Sequence, residues 1–286
     1  MTIKKASIYC VLFLFPYLIF FSCKKKNGCT DSQACNYDNL ATVDDGSCVY
    51  CSTSGRISFN FTHYYNMAPV SAADFDQLQY INAFGNTHGI SRLRYLISDI
   101  ALHNVDGDSI IVNGYNLVDL TNTNGLTYSP LDKFEYDDYT AISFTWGLDE
   151  TDNVSGAYTE LNASSWSWPE MLGGGYHFMQ LEGKYIDVLS DTLSYGCHYG
   201  TAREILLPDT IYHPNHFRVK LTSLTPFTVD STTNSSIEIK MNIAEWFSNP
   251  NTWDFNQYST MLMTNYAAQV MMNDNGRSVF DFSVTH

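Results

Sequence analysis

From Gly55 onward, short apolar or alternating runs are separated by clusters of Gly, Asn, Asp and Pro. Alternation with a period of two is typical of half-buried strands, and turn residues between such runs are typical of hairpins. The runs are residues 57–61, 93–102, 109–112, 115–120, 141–146, 176–181, 217–221, 236–243 and 278–284. The pattern predicts an all-β domain with a β-sandwich-like fold.

Two turns and one helix complete this prediction. Asp106-Gly107-Asp108 and Asn113-Gly114 separate apolar runs, and such dipeptides tolerate the positive φ that tight hairpin turns require. Residues 258–272 carry apolar side chains at helical spacing, and Asn275-Gly276 is a plausible end. We therefore expect one C-terminal helix, whose methionines pack in the core more readily than they bind copper.

The N-terminus resembles a bacterial lipoprotein signal. Two lysines precede an apolar stretch at residues 8–21, which is too short for an ordinary membrane span and ends in Ser22-Cys23. We expect a signal peptide over residues 1–22, lipidation of Cys23 and a tether over 23–27. This predicts an outer-membrane lipoprotein of the cell envelope, on the periplasmic or cell-surface face. The alternative is a plain secretory signal with Cys23 as an ordinary thiol.

The net charge argues against a nucleic-acid partner. Five of the 15 basic residues precede Asn27, whereas all 30 acidic residues follow it, so the exported part carries about −20. Solubility at an envelope surface is the simpler explanation of this acidity, and a field that attracts cations is compatible with it. The 44% of hydrophobic residues, with 20 Tyr and 17 Phe, suffice for a large core.

Residues 28–51 form a predicted cysteine-rich module. In an exported protein, the four clustered cysteines favour disulfides; they are Cys29, Cys35, Cys48 and Cys51. Residues 28–48 resemble a short repeat of surface and secreted bacterial proteins, written GCTDxxACNYxxxATVDDGSC, which is a spacer or cap. Zinc bound by the thiolates is the alternative, although the spacing is not that of paired CxxC knuckles.

The same module offers hard oxygen ligands for Ca²⁺. These are Asp31, Asn36, Asp38, Asp44 and Asp45. Ca²⁺ takes six to eight oxygens, so one ion could bind here. The competing interpretation is that these residues form turns by bonding their own backbone.

Residues 52–286 contain no recognisable catalytic motif. The eight histidines form no HExxH or HxH pair, although His213 and His216 could chelate a metal from a turn. There is no GxSxG elbow, and Gly173-Gly174-Gly175 lacks the Lys-Ser or Lys-Thr of a phosphate loop. We therefore expect a protein that is not an enzyme.

Several strings in this domain resemble the MbnP family of periplasmic and surface copper-binding proteins. The most specific are residues 163–168 with the Trp-Ser-Trp sequence, residues 175–184, and Tyr195 to Gly200 with the Cys-His pair. Further landmarks follow in the family's order: residues 57–61, 89–100, 115–120, 144–149, 244–247 and 275–282. The resemblance covers about residues 55–284.

The resemblance implies a β-sandwich-like fold that binds one copper ion through histidines. In studied members a tryptophan is oxidised to kynurenine by a dihaem cytochrome c peroxidase-like partner of the MbnH type, which here points to Trp166 or Trp168. His198 is the leading ligand; His63 and His88 are weaker choices. His177 stands where relatives usually have another residue.

Ordinary roles remain open for these side chains. The two tryptophans could simply pack in the core. Cys197 could be a soft Cu(I) ligand, a free thiol or half of a bridge to the module. The sequence thus predicts a lipid-anchored copper acceptor or carrier. The alternative is an adhesion or carbohydrate-binding β-sandwich lipoprotein without metal, or a purely structural one.

Overall fold

A computed structural model describes residues 25–50, 54–229 and 236–285. The chain divides into two compact units between Ser52 and Thr53. The expected signal peptide, Cys23 and Cys51 lie outside the described residues, so those predictions are untested. Within the described part of the chain, no helix has the length and apolar character needed to cross a membrane.

The first unit is a small module stapled by disulfides. Two short parallel strands, β1 (Asn27–Gly28) and β2 (Val43–Asp44), pair within it. Cys29 is bonded to Cys48, and Cys35 is also disulfide-bonded. A disulfide-rich module is therefore confirmed.

The residues expected to bind Ca²⁺ act as turn formers in this module. The Oδ1 atoms of Asp31, Asp44 and Asp45 accept backbone N–H groups two residues further along the chain. Asp38 does the same and also pairs with Lys26, and the Asn36 amide bridges two backbone groups. Among the described residues, no three of these carboxylates approach within 4.8 Å of one another. The geometry favours the turn-forming role and gives the calcium prediction no support.

The second unit consists mainly of strands. In chain order they are β3 (Ser54–Gly55), β4 (Ser58–Tyr65), β5 (Ala68–Pro69), β6 (Tyr80–Ile81), β7 (Thr87–Asn104), β8 (Ser109–Asp119), β9 (Thr127–Tyr128), β10 (Phe134–Glu135), β11 (Asp137–Trp146), β12 (Met179–Ile186), β13 (Thr192–Tyr199), β14 (Ala202–Leu206), β15 (Asp209–His213), β16 (Phe217–Val229), β17 (Ser236–Asn242) and β18 (Phe280–Thr285). The α-helices are α1 (Thr159–Ala163) and α2 (Tyr266–Gly276). Short 3-10 helices cover Ala72–Asp74, Glu170–Leu172, Ile243–Phe247 and Leu262–Thr264.

Two sheets enclose the core, and this arrangement confirms the predicted all-β class. The larger sheet has the order β13-β12-β7-β11-β16, and β6 and β8 also pair with β7. The smaller has the order β18-β17-β4-β5, with β9 on β4. Aromatic rings from both sheets meet between them: Tyr95 contacts Phe61, and Trp146 contacts Phe280. Aromatic contacts of this kind stabilise the fold by more than the burial of their surface area alone would.

The predicted Asp106-Gly107-Asp108 turn is confirmed, because it joins β7 to β8. The prediction of a turn at Asn113-Gly114 is wrong, since both residues lie inside β8. Gly114 has a φ of 105°, and the register against β7 shifts opposite it, beside Asp99. The dipeptide therefore makes a bulge within one long strand.

The predicted C-terminal helix exists but begins later than expected. Its end at Gly276 agrees with the sequence, whereas its start at Tyr266 lies eight residues after the predicted one. Asn265 caps this start by accepting the Ala268 N–H, because a capping side chain satisfies a donor that the first turn leaves unpaired.

Candidate metal centre

The Trp-Ser-Trp sequence forms an extended segment beside residues 175–177. Trp168 N donates to Gly175 O, His177 N donates to Trp166 O, and Ser167 bridges Tyr176. Because alternate residues of an extended segment point the same way, both indoles face His177. Their ring centres lie 5.6 and 4.9 Å from that of His177, and both indoles are fully buried.

Three consecutive glycines make this pairing possible. Gly173, Gly174 and Gly175 have φ values of 111°, 68° and 82°, a region that side chains rarely tolerate. A Cβ on Gly175 would also come within 2.3 Å of the Asn153 amide. The glycines thus reverse the chain between Trp168 and His177.

His177 presents one free nitrogen in a buried place. Its Nδ1 lies 3.1 Å from Trp166 O, which fixes the tautomer with the proton on Nδ1 because a carbonyl can only accept. Its Nε2 is buried and has no partner within the described structure. Burial lowers the pKa of His177 to about 4, so the ring is neutral at pH 7. A neutral imidazole with a free lone pair is the form that binds metals.

His198 lies on β13, and the strand alternation places it on the outer face of the larger sheet. Its Nε2 donates to Glu182 Oε1 at 2.8 Å, and this hydrogen bond lowers the pKa of Glu182. Within the described residues Nδ1 makes no hydrogen bond, and in the neutral ring with the proton on Nε2 it carries the lone pair. An imidazole oriented by a carboxylate through its second nitrogen is typical of metal ligands.

The two imidazoles of His177 and His198 pack edge to face. Their ring centres are 5.2 Å apart with a steep angle of 76° between the ring planes. Metal–imidazole bonds are about 2 Å long, so one ion can bridge rings at this separation. His177 and His198 are therefore two neighbouring residues that could hold a metal ion, and the buried Nε2 of His177 has no other partner among the described residues.

A buried ion pair supports the tryptophan wall of this site. The Arg94 guanidinium lies 4.8 Å from the Trp166 ring centre and also reaches Ser164 O. Its Nε is 3.1 Å from the Asp119 carboxylate, and both side chains are largely buried. Arg94 thereby connects the larger sheet to the segment that carries Trp166.

The other predicted histidine ligands lie elsewhere. His63 contacts Tyr95 OH, and His88 contacts Tyr65 OH, both in the core between the sheets. His198 lies on the opposite face of the larger sheet, so the sheet separates it from both. The structure therefore does not bring His63 or His88 together with His198.

Cys197 also points away from His198. It is a free, buried thiol in the core between the sheets, where burial raises its pKa strongly. Neighbouring residues of a strand face opposite sides, so Cys197 and His198 cannot share an ion here. No bridge to the module forms, since the thiol is free.

His177 is the residue that the sequence undervalued. The resemblance gives no ligand role to His177, because relatives usually carry another residue there. Its pairing with Trp166 offered a signal, since the Trp-Ser-Trp string and the Tyr-His string flank one glycine turn. His213, which could have chelated a metal with His216, instead forms a hydrogen bond with Glu204 through Nε2, and its ring lies tilted against that of Tyr266.

Comparisons with known proteins agree with this fold. A sequence model of the family MbnP matches residues 54–271. The solved structure of MbnP from Methylosinus trichosporium is similar, with a TM-score of 0.52 and 13% sequence identity, covering 82% of this chain and 100% of that chain. No curated protein matches the chain. At this identity the structural likeness shows the fold alone.

Proposed function

Because this chain belongs to the MbnP family, we propose that it is a copper-binding protein that holds one ion between His177 and His198. The observation that carries the proposal is the buried, unpartnered Nε2 of His177, with the His198 ring 5.2 Å away. Leaving a buried nitrogen without a partner costs about 1–3 kcal/mol. A ligand that uses the nitrogen explains why the fold keeps it.

The donor set suits copper in both oxidation states. Imidazole binds Cu(I) and Cu(II), and each ring here is oriented through its other nitrogen by Trp166 O or Glu182. Two ligands supplied by one small region leave room for further donors. The protein would therefore act as an acceptor or carrier with no turnover of its own.

The tryptophans are the proposed source of a further donor. Oxidation by a dihaem peroxidase-like partner would convert Trp166 or Trp168 to kynurenine. Two molecules of hydrogen peroxide would each supply one oxygen atom, to C2 and to C3, as the indole C2–C3 bond breaks, and each would be reduced to water. Hydrolysis of the resulting N-formyl group would then release C2 as formate. Mass spectrometry of the peptide containing both residues, in Trp166→Phe and Trp168→Phe variants made with the partner, identifies the modified position.

The proposed location follows from the N-terminal sequence. We keep the expectation of lipidation at Cys23 and of a cell-envelope location. Metabolic labelling with a fatty acid, compared between the parent and Cys23→Ser, tests it directly. Label retained in the variant would exclude Cys23 as the lipidated residue, and no label in the parent would exclude a lipid anchor.

Copper titration of the purified protein tests the central assignment. We expect one tightly bound ion per chain, and a loss of at least about tenfold in affinity in His177→Ala and in His198→Ala. His213→Ala is a matched control, because His213 also donates Nε2 to a carboxylate at 2.8 Å but has no facing imidazole. Parent-like affinity in both site variants would overturn the proposal.

A further inference from the structure

A groove of about 510 Å³ opens beside His198, bounded by the turn after Trp168, by β13 and by residues 259–264. Its lining includes the imidazole of His198 and the carboxylate of Glu182. Three methionines also line it: Met171, Met261 and Met263. A third of the nine methionines of the chain thus line the groove that His198 also lines.

These methionines are not ordinary core residues. Met171 is 68% exposed and Met261 is 75% exposed. Exposed apolar side chains grouped in one concavity indicate a binding surface more often than scattered ones do. The thioether is also the softest neutral donor among protein side chains, and it favours Cu(I).

Met261 lies in a conformation that L-residues avoid. Its φ is 58°, in the left-handed region that side chains rarely adopt. Two contacts fix its carbonyl, one from the backbone N–H and one from the hydroxyl of Thr264. The fold therefore maintains a strained methionine at the groove, which points to a role for that side chain.

The methionine segment is coupled to the His198 strand. The buried Gln269 amide donates to His198 O at 2.7 Å and to Leu262 O at 3.1 Å. One side chain thus sets the distance between the strand that holds His198 and the turn that presents Met261 and Met263. The coupling keeps thioethers and imidazole at one wall of the groove.

We propose that this groove is a thioether site for a soft monovalent ion, Cu(I) or its analogue Ag(I), which the methionines hold at the mouth of the histidine pair. This site deepens the proposed function. It rests on that function only for the assignment of copper as the ion that passes on to the histidine pair. The ion enters at Met171, Met261 and Met263 and passes to His198 without a change of oxidation state. His198 is the residue common to both sites.

Silver titration in a His177→Ala background tests the groove separately from the histidine pair. The variant M171L/M261L/M263L replaces the sulfurs at nearly constant volume, and Met67→Leu removes an exposed methionine elsewhere. We expect the triple variant to bind Ag(I) about tenfold more weakly or worse, and Met67→Leu to match its parent. Equal Ag(I) affinity in the triple variant and its parent would overturn the thioether site.

Methyl NMR of the parent protein is a second measurement, and it does not depend on whether a variant folds. Ag(I) should shift the methyl signals of Met171, Met261 and Met263 and leave that of Met67 unchanged. Unshifted groove signals would also overturn the proposal. If the parent failed to bind Cu(II) while Ag(I) still shifted these methyls, the histidine proposal would fail and the groove would stand.

Discussion

The rings of His177 and His198 pack edge to face with their centres 5.2 Å apart, and one nitrogen of each ring donates to an oxygen acceptor. The acceptors differ, since one is the Trp166 carbonyl and the other the Glu182 carboxylate. Nε2 of His177 and Nδ1 of His198 are therefore the nitrogens left for a shared ion.

Glu182 should matter through the orientation of His198. Glu182→Ala removes the acceptor of Nε2, so copper affinity should fall by about tenfold to a hundredfold. Glu182→Gln keeps an oxygen acceptor and should retain most of the affinity, as measured by competition titration. Equal losses in both variants would show that orientation through this hydrogen bond is not the cause.

Arg94→Ala should destabilise the protein by about 3–5 kcal/mol, because it leaves the buried Asp119 carboxylate without its partner. Arg92 is a matched control on the same strand face. It pairs with Glu182 at an exposed site, and Arg92→Ala should change the free energy of unfolding by only about 0–1 kcal/mol. Denaturant unfolding measures both, and similar values for the two variants would contradict this difference.

Stability should depend on pH through the buried His63. Burial lowers its pKa to about 4, so between pH 6.5 and 4 the unfolded state binds a proton that the folded state does not. Stability from this residue is complete above pH 6.5 and is lost as the pH falls toward 4, by up to about 3 kcal/mol. The free energy of unfolding of the parent should therefore fall relative to that of His63→Gln across this window. A pH-independent difference between the two would exclude it.

Removing the Cys29–Cys48 disulfide should affect the module alone. The bond closes a loop with a sequence separation of 19, so its loss should destabilise the first unit by roughly 3 kcal/mol. Because the candidate ligands lie in the second unit, Cys29→Ser/Cys48→Ser should bind copper like the parent. Proteolysis near Cys29 together with unchanged copper titration is the expected result; weaker copper binding would contradict the assignment of the ligands to the second unit.

Alternating patterns predicted β4, in which burial alternates along the strand and which begins one residue into the predicted 57–61 run. The run at 141–146 lies in β11, where all six residues are buried. The hairpin of β14 and β15 was missed, because residues such as Leu206 and Ile211 are exposed and no alternation marks a buried side. Pairing between distant segments, such as parallel β4 and β17, has no local signature.

The site was only partly predictable for the same reason. Trp166, Trp168 and His198 followed from the ordered motifs, whereas the partner of His198 depends on a glycine turn that folds residue 177 back beside the tryptophans. The alternation of side chains along a strand also bears on Cys197, which is adjacent to His198 in the sequence. It places Cys197 and His198 on opposite faces, which argues against a joint site without any structure.

Counting the imidazoles on bound Cu(II) tests the central claim most directly. Pulsed electron paramagnetic resonance of the protein labelled with ¹⁵N-histidine detects the remote nitrogen of each bound ring. We expect two imidazoles in the parent and in His213→Ala, and one in His177→Ala and in His198→Ala. A count that is the same in all four proteins, or no imidazole in the parent, would contradict it.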